Sequence, residues 1–155
     1  MKIDPAYENF LLYAISDDWA QLGEFVEHAR KFAPAEYSRQ YVLELVREFI
    51  ERGYIEIGNI ADGNPPWVPW DVSVDETMRR IANGYRGVAG LLTMPESELG
   101  QNELFRAQLT DRGEARLAEM GDPYEKYGDP WFDDPYLNAA DWGYPPYRPD
   151  SADPG

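Results

Sequence analysis

The sequence predicts an α+β fold that is mostly α, and three observations predict it. Apolar residues recur at helical spacing from about Pro5 to about Gly121. Helix caps and glycine stops punctuate those stretches. Two short segments alternate apolar with polar positions, as half-buried strands do. At 155 residues the chain is about the size of one ordinary domain with a single buried core.

The elements follow in order. Asp4 with Pro5 is an N-cap followed by proline at the first helical position, and Tyr7, Phe10, Leu11 and Ala14 then share a face to about Ile15. Asp18 and Gln21 have capping-box spacing, and Trp19, Leu22, Phe25, Val26 and Ala29 form the stripe of a second helix ending before Pro34. From about Ala35 a third helix carries Tyr41, Val42, Leu45, Val46, Phe49 and Ile50 to its stop at Arg52-Gly53, making it the expected centre of the core. Tyr54–Ile60 alternates as a strand. A long excursion follows, containing Ser73 and Glu76 as the capping pair of a fourth helix with Val74, Met78, Ile81 and Tyr85 on one face. Phe105–Leu109 alternates again as a second strand, and Asp111-Arg112-Gly113-Glu114 opens a short last helix.

Composition changes at Gly121, which divides the chain into a domain over 1–121 and a tail over 122–155. The tail holds seven of the thirteen prolines, and its acids outnumber its bases by eight to two. It also carries Tyr124, Tyr127, Trp131, Phe132, Tyr136, Trp142, Tyr144 and Tyr147, whereas disordered tails are poor in aromatics. It is therefore expected to fold back on the domain, with Trp131, Phe132 and Trp142 as its anchors.

Charge bounds the function. The formal net charge is −15, from 29 acids against 14 bases. Such a field repels phosphate, so nucleic acid and anionic membrane surfaces are disfavoured as partners. With no cysteine, thiolate catalysis and thiolate metal sites are absent. Met1 leads into Lys2-Ile3-Asp4-Pro5, and no long uncharged apolar stretch occurs, so neither a signal peptide nor a membrane span is expected and the cytoplasm is the expected location.

Three helices, a strand, a long excursion, a returning strand and a helix opening on Leu109-Thr110-Asp111-Arg112-Gly113-Glu114 together resemble a winged helix domain. The Leu-Thr-x-x-Gly segment is similar to the last wing strand and following helix of MarR- and PadR-like bacterial regulators. The fuller pattern resembles small uncharacterised actinobacterial proteins over roughly residues 10–120; it runs Arg52-Gly53-Tyr54-Ile55-Glu56-Ile57-Gly58, Trp70, Met78-Arg79-Arg80-Ile81, then Leu109-Thr110-x-x-Gly113. The resemblance implies a winged helix-turn-helix-like domain with a long wing insertion, in which the strands around Tyr54–Ile60 and Phe105–Leu109 pair antiparallel; the composition adds an acidic aromatic C-terminal tail beyond it. It implies no activity. DNA-reading domains of this kind present basic or amide side chains from the third helix and bases from the wing. Here Arg39, Arg47 and Arg52 are outnumbered by Glu36, Glu44, Glu48 and Glu51, and the wing from Gly58 to Asp71 has no base.

Candidate chemistry is thin. Asp17-Asp18 and Asp133-Asp134 read as a helix cap and a solvated turn, Arg79-Arg80 as a helix-surface pair, and His28 as a partly exposed ring beside Glu24 one turn earlier. No catalytic residue, metal ligand or cofactor site is assigned, and the chain is read as a non-enzyme. The partner-binding candidates are Trp67, Trp70, Trp131, Phe132 and Trp142, since tryptophan concentrates at interface centres. The expected partner is another protein of basic character, as for an acidic immunity or antitoxin-type inhibitor, and a homodimer is compatible with the same surface. The alternatives are a winged-helix DNA-binding transcriptional regulator and a small-molecule-binding domain.

Overall fold

The computed structural model describes residues 1–17, 19–134 and 143–149. Helix α1 (Pro5–Asp17) starts where the Asp4-Pro5 signal places it. It is apolar around most of its circumference: Tyr7, Leu11, Leu12 and Ile15 enter one hydrophobic cluster, while Ala6 and Phe10 enter a second. A helix buried on opposite faces must have structure on both, and it does.

The chain then departs from the sequence reading. Ala20 and Gln21 form a two-residue strand, β1, and helix α2 (Leu22–Phe32) begins only at Leu22 with Gln21 as an N-cap lacking a side-chain bond. Trp19 is therefore off the helix; its indole N–H donates to Gln108 Oε1 (2.7 Å). Asp18, the expected cap, lies outside the described residues. Strand pairing satisfies two main-chain positions that an extra helical turn would have served equally, and only the distant partner strand decides between them.

Helix α3 (Arg39–Glu51) is capped by Ser38, whose Oγ accepts from the Tyr41 N–H (3.0 Å). Val42, Leu45, Val46 and Phe49 are fully buried, with Tyr41 and Ile50 at the margins, as the stripe predicts. Strand β2 (Ile55–Ile60) turns back into β3 (Trp67–Pro69), a strand the sequence reading leaves inside the wing loop. Helix α4 (Val74–Asn83) has the predicted Ser73 cap, which accepts from the Glu76 N–H (3.1 Å). A small hairpin of β4 (Gly84–Tyr85) and β5 (Val88–Ala89) follows, then a 3-10 turn over Glu96–Glu98.

Strand β6 (Arg106–Leu109) inserts between β1 and β2, antiparallel to both, so the sheet order is β1-β6-β2-β3. Helix α5 (Asp111–Met120) explains the Leu-Thr-x-x-Gly segment physically. Thr110 Oγ1 accepts from the Gly113 N–H (3.0 Å) as the cap and donates to the Gly53 carbonyl, tying the helix start to the end of α3. A Cβ at Gly113 would lie 2.2 Å from the Tyr54 carbonyl oxygen, so glycine alone allows this approach.

Helix α6 (Pro123–Tyr127) opens the tail with Asp122 as its cap and packs on α1. Trp131 anchors the tail as expected, together with two tyrosines the expectation omits. Tyr124, Tyr127 and Trp131 bury against Ala6 and Phe10, with Tyr144, Tyr147 and Phe32 alongside. Phe132 is 41% exposed and anchors nothing, while Trp142 lies outside the described residues. The tail's main chain pairs with itself: the Asp129 N–H donates to Pro145 O (2.7 Å), Tyr147 N–H to Asp129 O (3.1 Å) and Arg148 N–H to Tyr127 O (2.7 Å). Among the described residues no helix is long and apolar enough to cross a membrane.

Candidate functional site

The aromatic candidates fall into two places. Trp67 is buried against Gly58, where a Cβ would sit 2.8 Å from its ring, and its indole N–H donates to the Arg106 carbonyl (3.1 Å). Trp70 is half-buried, donates to Asn59 Oδ1 (2.5 Å), meets the Tyr85 ring edge-on at 5.0 Å and lies under the Arg80 guanidinium at 5.3 Å. Both indole donors are thus spent inside the sheet, and these two rings brace the β2–β3 hairpin. Trp131 is elsewhere, in the cluster on α1 and α2, with Phe132 exposed beside it.

The basic side chains of the α3 surface are engaged by the protein's own acceptors. Arg39 donates to the Leu91 and Met94 carbonyls and pairs with Glu96. Arg47 bridges Glu51 (2.8 Å) and Asp75 (2.9 Å), and Arg52 pairs with Glu48 (2.7 Å) and the buried Glu8 (3.6 Å). On α4, Arg79 and Arg80 both grip Glu76, whose carboxyl they hold down to about 2. These arginines are poorly placed to meet phosphate, because doing so means breaking an existing pair.

A cleft of about 330 Å³ opens between α1, α2 and the tail. Its most buried lining residues are His28, Trp131 and Tyr124, which form the floor, while Tyr13 and Tyr144 stand at the rim. The remaining polar wall consists of Asp17, Glu24 and Glu27. Among the described residues none of these three carboxylates is within ion-pair distance of a lysine or arginine. Burial raises the pKa of Glu24, and the neighbouring Glu27 and Asp17 charges add to the effect. Burial raises Glu27 as well, with Asp134 adding and Arg30 opposing.

His28 corrects its sequence reading in exposure, for the ring is 3% exposed, while Glu24 does lie beside it as expected, with Oε2 3.8 Å from Nδ1. Nδ1 lies 2.7 Å from the Glu24 main-chain oxygen, a contact that only a protonated nitrogen can make. Burial lowers the pKa to about 4, so the ring is neutral near pH 7 and Nε2 is a lone-pair acceptor. Nε2 has no hydrogen-bond partner among the described residues. The ring meets Trp131 edge-on at 5.2 Å, and the Trp131 indole N–H donates to the Tyr124 hydroxyl (3.2 Å).

Sequence reasoning names Trp131 and His28 but misses their meeting, and it misses Tyr124 as a floor residue. The one available signal is the density of tyrosine in the tail. No three histidine or carboxylate side chains among the described residues converge to hold a metal ion. The chain matches no protein-family model, no curated protein and no solved structure.

Proposed function

We propose that this protein is a non-enzymatic binding module for a basic protein, in the manner of an acidic immunity or antitoxin-type inhibitor. The observation that carries the reading is the internal engagement of the α3 and α4 arginines by carboxylates and carbonyls in a chain of net charge −15. The surplus of acid then faces outward, where it attracts a basic partner from a distance and speeds encounter. The exposed Phe132, between Trp131 and the acids Asp133 and Asp134, suits the rim of such an interface.

We read the fold as a winged-helix variant. Support comes from the chain order α1-β1-α2-α3-β2 and from β6 returning between β1 and β2, with β3, α4 and the small hairpin as an insertion in the wing. That order also favours the second reading, a DNA-binding regulator, against which stands the pairing of Arg39, Arg47 and Arg52.

Two measurements separate these readings. Cross-linking the intact protein to its partner in native extract, with the partner identified by mass spectrometry, is expected to yield a basic protein whose complex weakens at least about tenfold between ~50 and ~300 mM salt, as exposed charges are screened. A duplex-DNA titration at ~150 mM salt is expected to show no sub-micromolar, sequence-dependent binding. An acidic or salt-insensitive partner overturns the first reading, and tight specific DNA binding promotes the second.

A further inference from the structure

The cleft between α1, α2 and the tail combines four features that each select for the same ligand chemistry. Its floor is aromatic, and aromatic faces attract cations through the ring quadrupole. Its wall carries three carboxylates and no base. The buried His28 lines the cleft, and its ring nitrogen Nε2 offers a lone pair with no hydrogen-bond partner among the described residues. The volume, about 330 Å³, lies at the lower end of the ~300–1,000 Å³ typical of small-ligand sites. Acceptors on one side and π-faces on the other suit a group that has several N–H donors, a positive charge and an apolar stem.

Internal cations do not fill this role. Lys31 approaches the Trp131 ring (5.9 Å) but pairs with Asp133, and Arg30 pairs with Glu96; neither lines the cleft. A neutral ligand would gain no charge-assisted contact from the three carboxylates. A bare metal ion is disfavoured, since no three carboxylate or imidazole groups among the described residues converge on one point, whereas a larger cation with several N–H donors can reach acceptors that stand apart around the cleft.

We propose that this cleft is a binding site for an ammonium or guanidinium group on an apolar stem, held between Trp131 and Tyr124, the Nε2 of His28 and the carboxylates of Glu24, Glu27 and Asp17. The cation belongs either to a small free amine or to a lysine or arginine side chain displayed on a protein. The inference rests on the cleft alone, so failure of the basic-protein reading leaves it standing, and the reverse also holds.

The test is an NMR titration of the full chain, following the indole N–H resonance of Trp131. n-Butylammonium and agmatine are expected to produce saturable shifts, while n-butanol and an equal concentration of sodium chloride produce none. Glu24→Gln is expected to weaken binding about tenfold, the loss of one charge-assisted contact. Glu44→Gln, on the exposed face of α3, serves as the control for bulk charge and is expected to leave affinity unchanged. Both variants are near-isosteric surface changes, and an unchanged amide spectrum away from the cleft verifies their folding.

A blocked tripeptide with arginine at its centre decides the source. Binding tighter than agmatine assigns the site to a protein side chain; weaker binding assigns it to a free amine. The inference is overturned by absence of saturation at ~10 mM of either cation, by an equal response to n-butanol, or by equal weakening in Glu44→Gln, with ~10 mM corresponding to an affinity too weak for a built site.

Discussion

The two sides of α1 are packed by different chemistry. Toward the sheet, Tyr7, Leu11, Leu12 and Ile15 meet the aliphatic and phenylalanine residues of α2, α3 and β6. Toward the tail, Ala6 and Phe10 meet tyrosines and a tryptophan, with Phe10 within 5.1–6.0 Å of the Tyr124, Tyr127 and Tyr147 ring centroids. The first side is a core closed by regular elements, whereas the second is a layer of aromatic rings from the short helix α6 and the irregular chain after it, with the Trp131 indole N–H bonded to the Tyr124 hydroxyl. Aromatic rings bury much area for few rotatable bonds, so a proline-rich segment lacking an apolar period can still dock.

The sharpest test of the contrast is Leu45→Ala on α3. Leu45 is 0% exposed, and its truncation is expected to cost about 2–5 kcal/mol in urea unfolding, with the whole chain losing stability together. A smaller cost with normal cooperativity would mean that the aliphatic side is looser than its burial implies.

The second test is the acid response of the tail side. The pKa of His28 in the folded chain is about 4, below its ordinary 6.5, so as pH falls the unfolded chain takes up the proton first. The neutral ring's contribution is intact above about pH 6.5 and is lost as pH falls toward 4, by up to about 3 kcal/mol. Glu24 and Glu27 act oppositely: their raised values favour the folded state at low pH and lose that contribution as pH rises through them. Comparing His28→Gln with the parent chain isolates the histidine, and the variant's stability is expected to fall less steeply between pH 6.5 and 4. Parallel curves would refute the buried neutral ring.

Trp131→Ala should separate the two sides most directly. It removes the floor of the cleft and is expected to cost roughly 0.5–3 kcal/mol overall, with amide exchange accelerated over Pro123–Tyr127 and Asp129 while α3 amides stay protected. Equal acceleration in α3 would show that tail and core open as one unit. The smallest effect is expected at Arg47→Gln, whose partners Glu51 and Asp75 are solvent-exposed: no measurable shift of Tm, and no gain of DNA binding.

Legibility followed the same division. The α3 stripe from Tyr41 to Ile50 and the Ser73 cap of α4 are readable because each is a local period or a local cap, while the antiparallel return of 105–109 onto 54–60 joins distant segments and is expected only from the order of the elements. Trp19 misleads because its spacing fits a helical stripe, while the β1 ladder that removes it from the helix depends on Ala107 and Arg106, far along the chain. Phe132 misleads because composition ranks it with Trp131, yet it is exposed while Trp131, one residue earlier, is buried. The cleft is less legible still, for its residues come from α1, α2 and two separate stretches of the tail.

The amino-acid sequence alone determined the acid excess, the lack of thiol chemistry, the helix starts at Pro5 and Ser73 and the apolar face of α3, because charge, caps and periodicity are properties of neighbouring residues. Tertiary structure alone decided that α1 is covered on both sides, that the α3 arginines are engaged by acceptors as distant as Met94 and Asp75, and that His28 is a buried neutral acceptor beside Trp131. The reason is physical. Burial and pairing depend on which surfaces meet, and a side chain's charge state and available hydrogen bonds are set by what water it has lost.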